Sequence, residues 1–246
     1  MKTYQKIIIL FFALWLRNPS LAFSENIPVD SVVAKLEEGQ AALKDFSCEF
    51  VTTTGDTGSM SKFKDLMEKS TGQALPTENL EQVWIKTPYL MKTRDVFGDQ
   101  AVDQVFKKEG EEFYLYNWMS QSRTLDKAKM PAAAWPAYPG PEAEVATIKE
   151  FIKKADPTTM IEAKDENGQY VLTISSKNRK DIHFIDKSMG LVTKSELYEN
   201  GNLSMTYEWR NIKLNTGLSD DFFEFKLPQN VKRTFRDLSQ VQKKNP

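Results

Sequence analysis

The sequence predicts a mainly β protein: a strongly twisted, half-closed antiparallel sheet whose concave side is covered by helices. Three observations carry this expectation. About eleven segments, such as Leu203–Trp209, read as strands with apolar and polar residues in alternation. Glu166-Asn167-Gly168, Asn200-Gly201 and Lys108-Glu109-Gly110 are hairpin turns, so neighbouring strands run antiparallel in a meander. Only two long segments carry helical periodicity, and a one-sided apolar sheet needs such elements to cover it.

The elements follow in order. Residues 1–22 read as a signal peptide: Lys2 and Lys6, an apolar run from Ile7 to Leu16, then small residues at Ser20-Leu21-Ala22. Cleavage is expected after Ala22, with Ser24 as the alternative; Arg17 leaves open an uncleaved anchor. Residues 23–246 are expected to form one domain with insertions at 54–80 and 128–157. Val29–Lys44 is the first helix, with Val32, Leu36 and Leu43 on its apolar stripe and Gly39 marking a bend or a close contact. Phe46–Thr54 is a strand. Met60–Lys69 reads as a short amphipathic helix. Strands are expected at Leu80–Lys86, Tyr89–Phe97, Gln100–Lys107, Glu112–Trp118 and, more weakly, Gln121–Asp126. Pro88 divides the first two of these, because proline has no N–H to donate. Met130–Pro141 is a proline-rich loop, and Glu142–Ala155 is the second helix. Strands follow at Met160–Lys164, Gln169–Ser175, Asp181–Ile185, Gly190–Tyr198 and Asn202–Leu214, where Ile212 falls out of phase and suggests a bulge. Phe222–Lys226 is expected as the last strand.

Composition narrows the function. The net charge is −1, and loss of Lys2, Lys6 and Arg17 with the signal takes it to about −4, so no nucleic acid partner is expected. Cys48 is the only cysteine, which rules out an internal disulfide and places no thiol for lipid attachment at the new N-terminus. The chemistry search finds no catalytic set. His183 is the one histidine and reads as an ordinary strand residue. Cys48, between Phe46 and Phe50, reads as a small buried hydrophobe. No metal-ligand spacing and no phosphate-binding loop is present, so neither a metal nor another cofactor is expected, and the protein reads as a non-enzyme. The aromatic rows Tyr114-Tyr116-Trp118 and Leu203-Met205-Tyr207-Trp209 line an apolar pocket only if the helices stand off the sheet.

Several motifs occur in one order. Leu43-Lys44-Asp45-Phe46 closes the first helix, Val83-Trp84-Ile85-Lys86-Thr87-Pro88 follows, then the tyrosine-rich strand Phe113–Asn117 and the hairpins from Asp181 to Leu214. The tail runs Asp221-Phe222-Phe223-Glu224-Phe225-Lys226-Leu227-Pro228-Gln229-Asn230-Val231. Together these resemble the periplasmic outer-membrane lipoprotein-sorting carrier (LolA-like) family. The resemblance implies an incomplete β-barrel of about eleven strands wrapped over two to four helices, a monomer working in the periplasm. It implies an apolar cavity for the acyl chains of lipoproteins or similar lipidated cargo, with an inner-membrane transporter as donor and an outer-membrane acceptor. Such a carrier meets a physical need, since each methylene returned to water costs about 0.8 kcal/mol. The apolar lining expected on this basis is Val32, Leu36, Leu43, Val83, Ile85, Met91, Leu115, Met205 and Trp209.

Three departures qualify the likeness: the long segment Thr54–Leu80, the proline-rich loop, and Thr87, where the better-known carriers place an arginine that contacts the lid. Thr87 is the expected lid contact here, with Lys86, Lys92 or Arg94 as substitutes for the missing guanidinium. The rival readings are an envelope sensor of misplaced lipoproteins, a half-barrel whose helices fill the sheet, and an envelope hydrolase.

Overall fold

The structure, a computed structural model, describes residues 25–55, 62, 65–66, 68–69, 77–88, 90–97, 100–131 and 141–239. The signal peptide, most of the Met60–Lys69 helix and most of the proline-rich loop lie outside the described residues.

Among the described residues, thirteen strands form one curled, open sheet. They are β1 (Glu25–Asn26), β2 (Asp45–Thr54), β3 (Glu78–Lys86), β4 (Leu90–Phe97), β5 (Gln100–Glu109), β6 (Glu112–Met119), β7 (Thr124–Met130), β8 (Met160–Glu166), β9 (Gln169–Ser175), β10 (Arg179–Asp186), β11 (Leu191–Glu199), β12 (Asn202–Leu214) and β13 (Lys232–Asp237). Their spatial order is β1-β8-β9-β10-β11-β12-β2-β3-β4-β5-β6-β7-β13. Every pairing is antiparallel except β13 on β7. The two halves of the meander, β2–β7 and β8–β12, join where β12 pairs with β2. Two helices, α1 (Val29–Ala42) and α2 (Pro141–Lys154), touch each other and cover one face of the sheet. The fold is therefore the incomplete barrel with a helical cover that the alternation and hairpins predict.

The described residues hold two strands beyond the eleven expected ones that form, because β1 and β13 lack a readable pattern. β1 has two residues, and β13 is charged and largely exposed on both faces. The expected strand at Phe222–Lys226 is instead a 3-10 turn over Asp220–Phe223 followed by irregular chain. Its alternation is real, but the strands it crosses already have both edges paired. The Phe222 ring packs edge-on against Trp84 and Phe223 is fully buried, so consecutive aromatics are anchored without a ladder. The weak strand at Gln121–Asp126 shifts to Thr124–Met130, because residues 120–123 make the turn and Arg123 adopts φ +48°. The bulge expected near Ile212 is present: the β12–β2 register breaks between Arg210 and Lys213, and Asn211 has φ +53°.

The core lies between the helices and the face of the sheet carrying Phe46, Phe50, Val83, Ile85, Phe106, Leu172 and Ile185. Val32 and Leu36 of α1 and Val145 and Ile148 of α2 enter it from above. α1 sits unusually close. A Cβ on Gly39 would lie 2.3 Å from the Gly190 carbonyl oxygen and 2.6 Å from that of Met189. Gly190, at φ +65°, faces the Lys35 carbonyl in the same way. Two glycines thus let a helix backbone rest directly on the β10–β11 turn.

Gly39→Ala tests that seating. Helix propensity alone favours alanine by about 1 kcal/mol. The new methyl meets backbone rather than a movable side chain, and such overpacking costs about 1–3 kcal/mol. The expected result is a net loss of stability, read as a lower urea midpoint. A midpoint equal to or above the parent's would show that α1 does not rest on this turn.

Candidate ligand-binding site

Strand alternation sorts the side chains onto two faces. The concave face carries all six expected lining positions on the sheet, and α1 with the residue after it carries the other three. Val32, Leu36, Leu43, Val83, Ile85, Met91 and Trp209 are buried in one cluster, and Leu115 packs half-buried against it. Met205 is buried on β12, opposite Thr54. Phe50 stacks on Tyr207 with ring centroids 5.8 Å apart and leans on Trp209 at 5.3 Å. Cys48 is buried among these groups; burial pushes its thiol up to about 12, and the Glu81 and Glu49 charges add to the rise. A thiol so held is a packing group.

The other aromatic row lies elsewhere. Tyr114, Tyr116 and Trp118 alternate with Leu115 and Asn117 and occupy the convex face, so they line nothing beneath the helices. Lysines cover them: Lys127 Nζ is 3.8 Å from the Tyr114 ring centroid, and Lys107 and Lys127 are each 5.0 Å from Tyr116. Glu109 accepts from Lys127 at 2.8 Å and from the Tyr116 hydroxyl at 2.6 Å. Burial alone would raise its carboxyl, but these donors outweigh it and hold the group at about 2. The segment after β12 crosses the same face. Clefts of about 700 Å³ and 620 Å³ flank it, lined chiefly by charged residues such as Lys92, Arg94, Asp103, Lys107 and Glu224.

The end of α1 is fastened to the sheet rim by polar contacts. The Thr87 hydroxyl lies 3.2 Å from the Leu43 carbonyl and 3.1 Å from that of Lys44, and donates there. The Thr87 N–H also donates to Lys44 O at 3.0 Å. Asn215, at φ +53°, donates through Nδ2 to Ala42 O at 3.1 Å and accepts the Lys44 N–H at 2.7 Å. These contacts serve carbonyls that the last turn of a helix leaves unpaired. Lys86, Lys92 and Arg94 point the other way: they bind Asp220, the Phe222 carbonyl and Asp103 on the convex side. The substitute role expected for them is taken by Asn215, which sequence reasoning missed. Nothing in the local sequence announces a contact between residues so far apart along the chain.

α2 is fastened differently. Glu144, in its first turn, accepts the Ser195 hydroxyl at 2.9 Å. His183 Nδ1 lies 2.9 Å from Ser195 Oγ and 3.6 Å from Glu144 Oε1. The serine has one proton and gives it to Glu144, so the imidazole carries its own on Nδ1 and donates to Ser195. His183 Nε2 is buried without a hydrogen-bond partner among the described residues. Burial disfavours the Glu144 carboxylate, yet the neighbouring His183 ring and the Ser195 hydroxyl outweigh it and its carboxyl stays below the usual range. Serine, histidine and glutamate do meet here, but Ser195 is fully buried and its proton is committed to a carboxylate. The arrangement ties a helix to strands and offers no substrate an exposed nucleophile.

Among the described residues no cluster of His, Cys, Asp and Glu is disposed to hold a metal ion, and no helix is long and apolar enough to cross a membrane.

No protein-family model matches the sequence, and no curated protein matches it. Solved structures that match in part include an uncharacterized conserved protein from Thermus thermophilus, at 9% identity and TM-score 0.46, covering 84% of this chain and 98% of that one. MucB in the Pseudomonas aeruginosa MucA/MucB complex matches at 12% identity and TM-score 0.38, over 79% of this chain and 61% of that one. MucB alone matches at 13% identity and TM-score 0.38, over 80% and 62%. These are partial likenesses of chain course, and none assigns a role to this chain.

Proposed function

We propose that the protein is a non-enzymatic periplasmic carrier that takes the acyl chains of lipoproteins, or of similar lipidated cargo, between its curled sheet and its helices. One observation supports this reading above the others. A broad apolar surface, Phe46 to Trp209 on the sheet and Val32 to Ile148 on the helices, is covered by two helices fastened by small polar sets. Acyl chains match such a surface chemically, and the contacts at the ends of α1 and α2 are the ones that release it. Full burial of several chains would give tens of kcal/mol, more than any usable affinity. Closing the helices onto their own sheet competes with the cargo and brings binding back into a reversible range. The order of motifs from Leu43 to Val231 supports the same reading and carries with it a donor at the inner membrane and an acceptor at the outer membrane.

The test is direct. Protein purified from a periplasm, examined by native mass spectrometry, is expected to carry acylated species, and added protein is expected to release lipoproteins from spheroplasts. Protein free of acyl species that also releases nothing would overturn the proposal.

A further inference from the structure

The concave face is not apolar from end to end. Two residues further along each strand from the Thr87 rim, its lining changes character. Met91, Phe106, Leu115 and Ala128 are cross-strand neighbours on β4 to β7 and form an apolar row. The next row on the same face is Thr93, Gln104, Asn117 and Asp126, again in register, and Thr234 of β13 continues it. Glu81 and Asp95 face each other across β3 and β4 one step beyond.

Among the described residues, two atoms of this polar row are buried without a hydrogen-bond partner of ordinary geometry: Thr93 Oγ1 and Asn117 Oδ1. Thr93 is 1% exposed. Asn117 turns its amide toward Asp126, which leaves its carbonyl oxygen as the unused acceptor. Asp126 is itself satisfied, by the Thr234 hydroxyl at 2.6 Å and by Arg236. Burial pushes the Glu81 carboxyl up and the facing Asp95 charge adds to the rise; the nearby Thr93 hydroxyl offsets part of it without a hydrogen bond of normal geometry. A row of acceptors beside carboxylates suits a group that donates and is not anionic.

Resting on the carrier reading above, we propose that this row is a head-group subsite that orients an acylated polyol, its chain toward Met91 and Phe106 and its uncharged hydroxyls on Thr93 and Asn117. An anionic head is disfavoured there by the acidic residues beside it. Glycerol and sugar heads share the donor chemistry that the row accepts.

The experiment is dye displacement on the full mature chain at neutral pH, using N-phenyl-1-naphthylamine as the reporter. Its arms are monooleoylglycerol, dodecyl maltoside and oleate. Either polyol amphiphile is expected to bind about tenfold more tightly than oleate, the equivalent of one well-made buried hydrogen bond. Whichever of the two prevails separates a glycerol from a sugar head. Thr93→Val removes an acceptor without changing shape, so it should leave the melting temperature unchanged or higher, abolish the preference and spare oleate binding. Thr93→Ser should restore the preference. Amphiphile binding with no head-group preference, or a preference untouched by Thr93→Val, overturns the subsite and leaves the carrier reading standing. Failure of every amphiphile to displace the dye overturns both.

Discussion

Glu144→Ala is expected to free α2 from the sheet while leaving the strands paired. The substitution removes the acceptor of the Ser195 hydroxyl and the carboxylate beside His183, so two buried donors lose their satisfied network. Breaking a buried hydrogen-bonded pair costs about 3 kcal/mol, a large share of an ordinary domain's stability. The loss should appear first as faster hydrogen exchange over Pro141–Lys154, ahead of exchange in β10 and β11. Ser195→Ala should show the same pattern more weakly. The double variant should be less destabilised than the sum of the two, because both remove one network. Strict additivity, or uniform loss of protection across the sheet, would show that Glu144 is not the tether of α2.

The sheet was legible in the sequence because its determinants are local. Asn167-Gly168 and Asn200-Gly201 state their hairpins in two residues, and the alternation from Met205 to Trp209 states both a strand and the face that it buries, whereas Leu203, beside a register shift, is exposed and Ser204 is buried. The buried stripe of α1 was legible for the same reason, and so was the burial of Val83, Ile85 and Met91 on β3 and β4. What stayed hidden depends on partners far along the chain. β13 is recruited by an edge that exists only after β7 has folded, and its own residues, Lys232-Arg233-Thr234-Phe235-Arg236-Asp237, carry no apolar alternation. The Glu144–Ser195–His183 set draws on one helix and two strands, each residue unremarkable where it stands. The polar row escaped notice because its members are spaced by cross-strand register, and no sequence interval marks it. Thr87 was singled out only through the family resemblance, and nothing in the sequence around it shows that its hydroxyl shares the end of α1 with Asn215.

Asp45→Ala is expected to cause a comparable loss at the opposite end of the cover. Asp45 is 4% exposed, and its carboxylate is an acceptor that gathers a whole turn. Oδ1 takes the Thr216 N–H at 2.6 Å and the Thr216 hydroxyl at 2.9 Å; Oδ2 takes the N–H of Gly217 at 2.8 Å and that of Leu218 at 3.4 Å. Removing it strands these donors, for a cost of about 3 kcal/mol. The turn it organises also presents Asn215 to the end of α1, so the helix should lose its C-terminal fastening with it. The effect carries a pH signature. Burial opposes ionisation of Asp45, but the Thr216 hydroxyl and the three backbone donors outweigh it and hold the carboxyl below its usual value. A group depressed in the folded state contributes its stability above the unfolded pKa, about 3.9, and loses that contribution as pH falls through the folded value. Asp45→Asn keeps one acceptor and cannot titrate. The stability gap between parent and Asp45→Asn should therefore be constant from neutral pH to about pH 5 and close below about pH 4, as read by urea unfolding at each pH. A gap that stays open in acid would place the stabilisation in the shape of the turn, with the carboxylate charge contributing nothing.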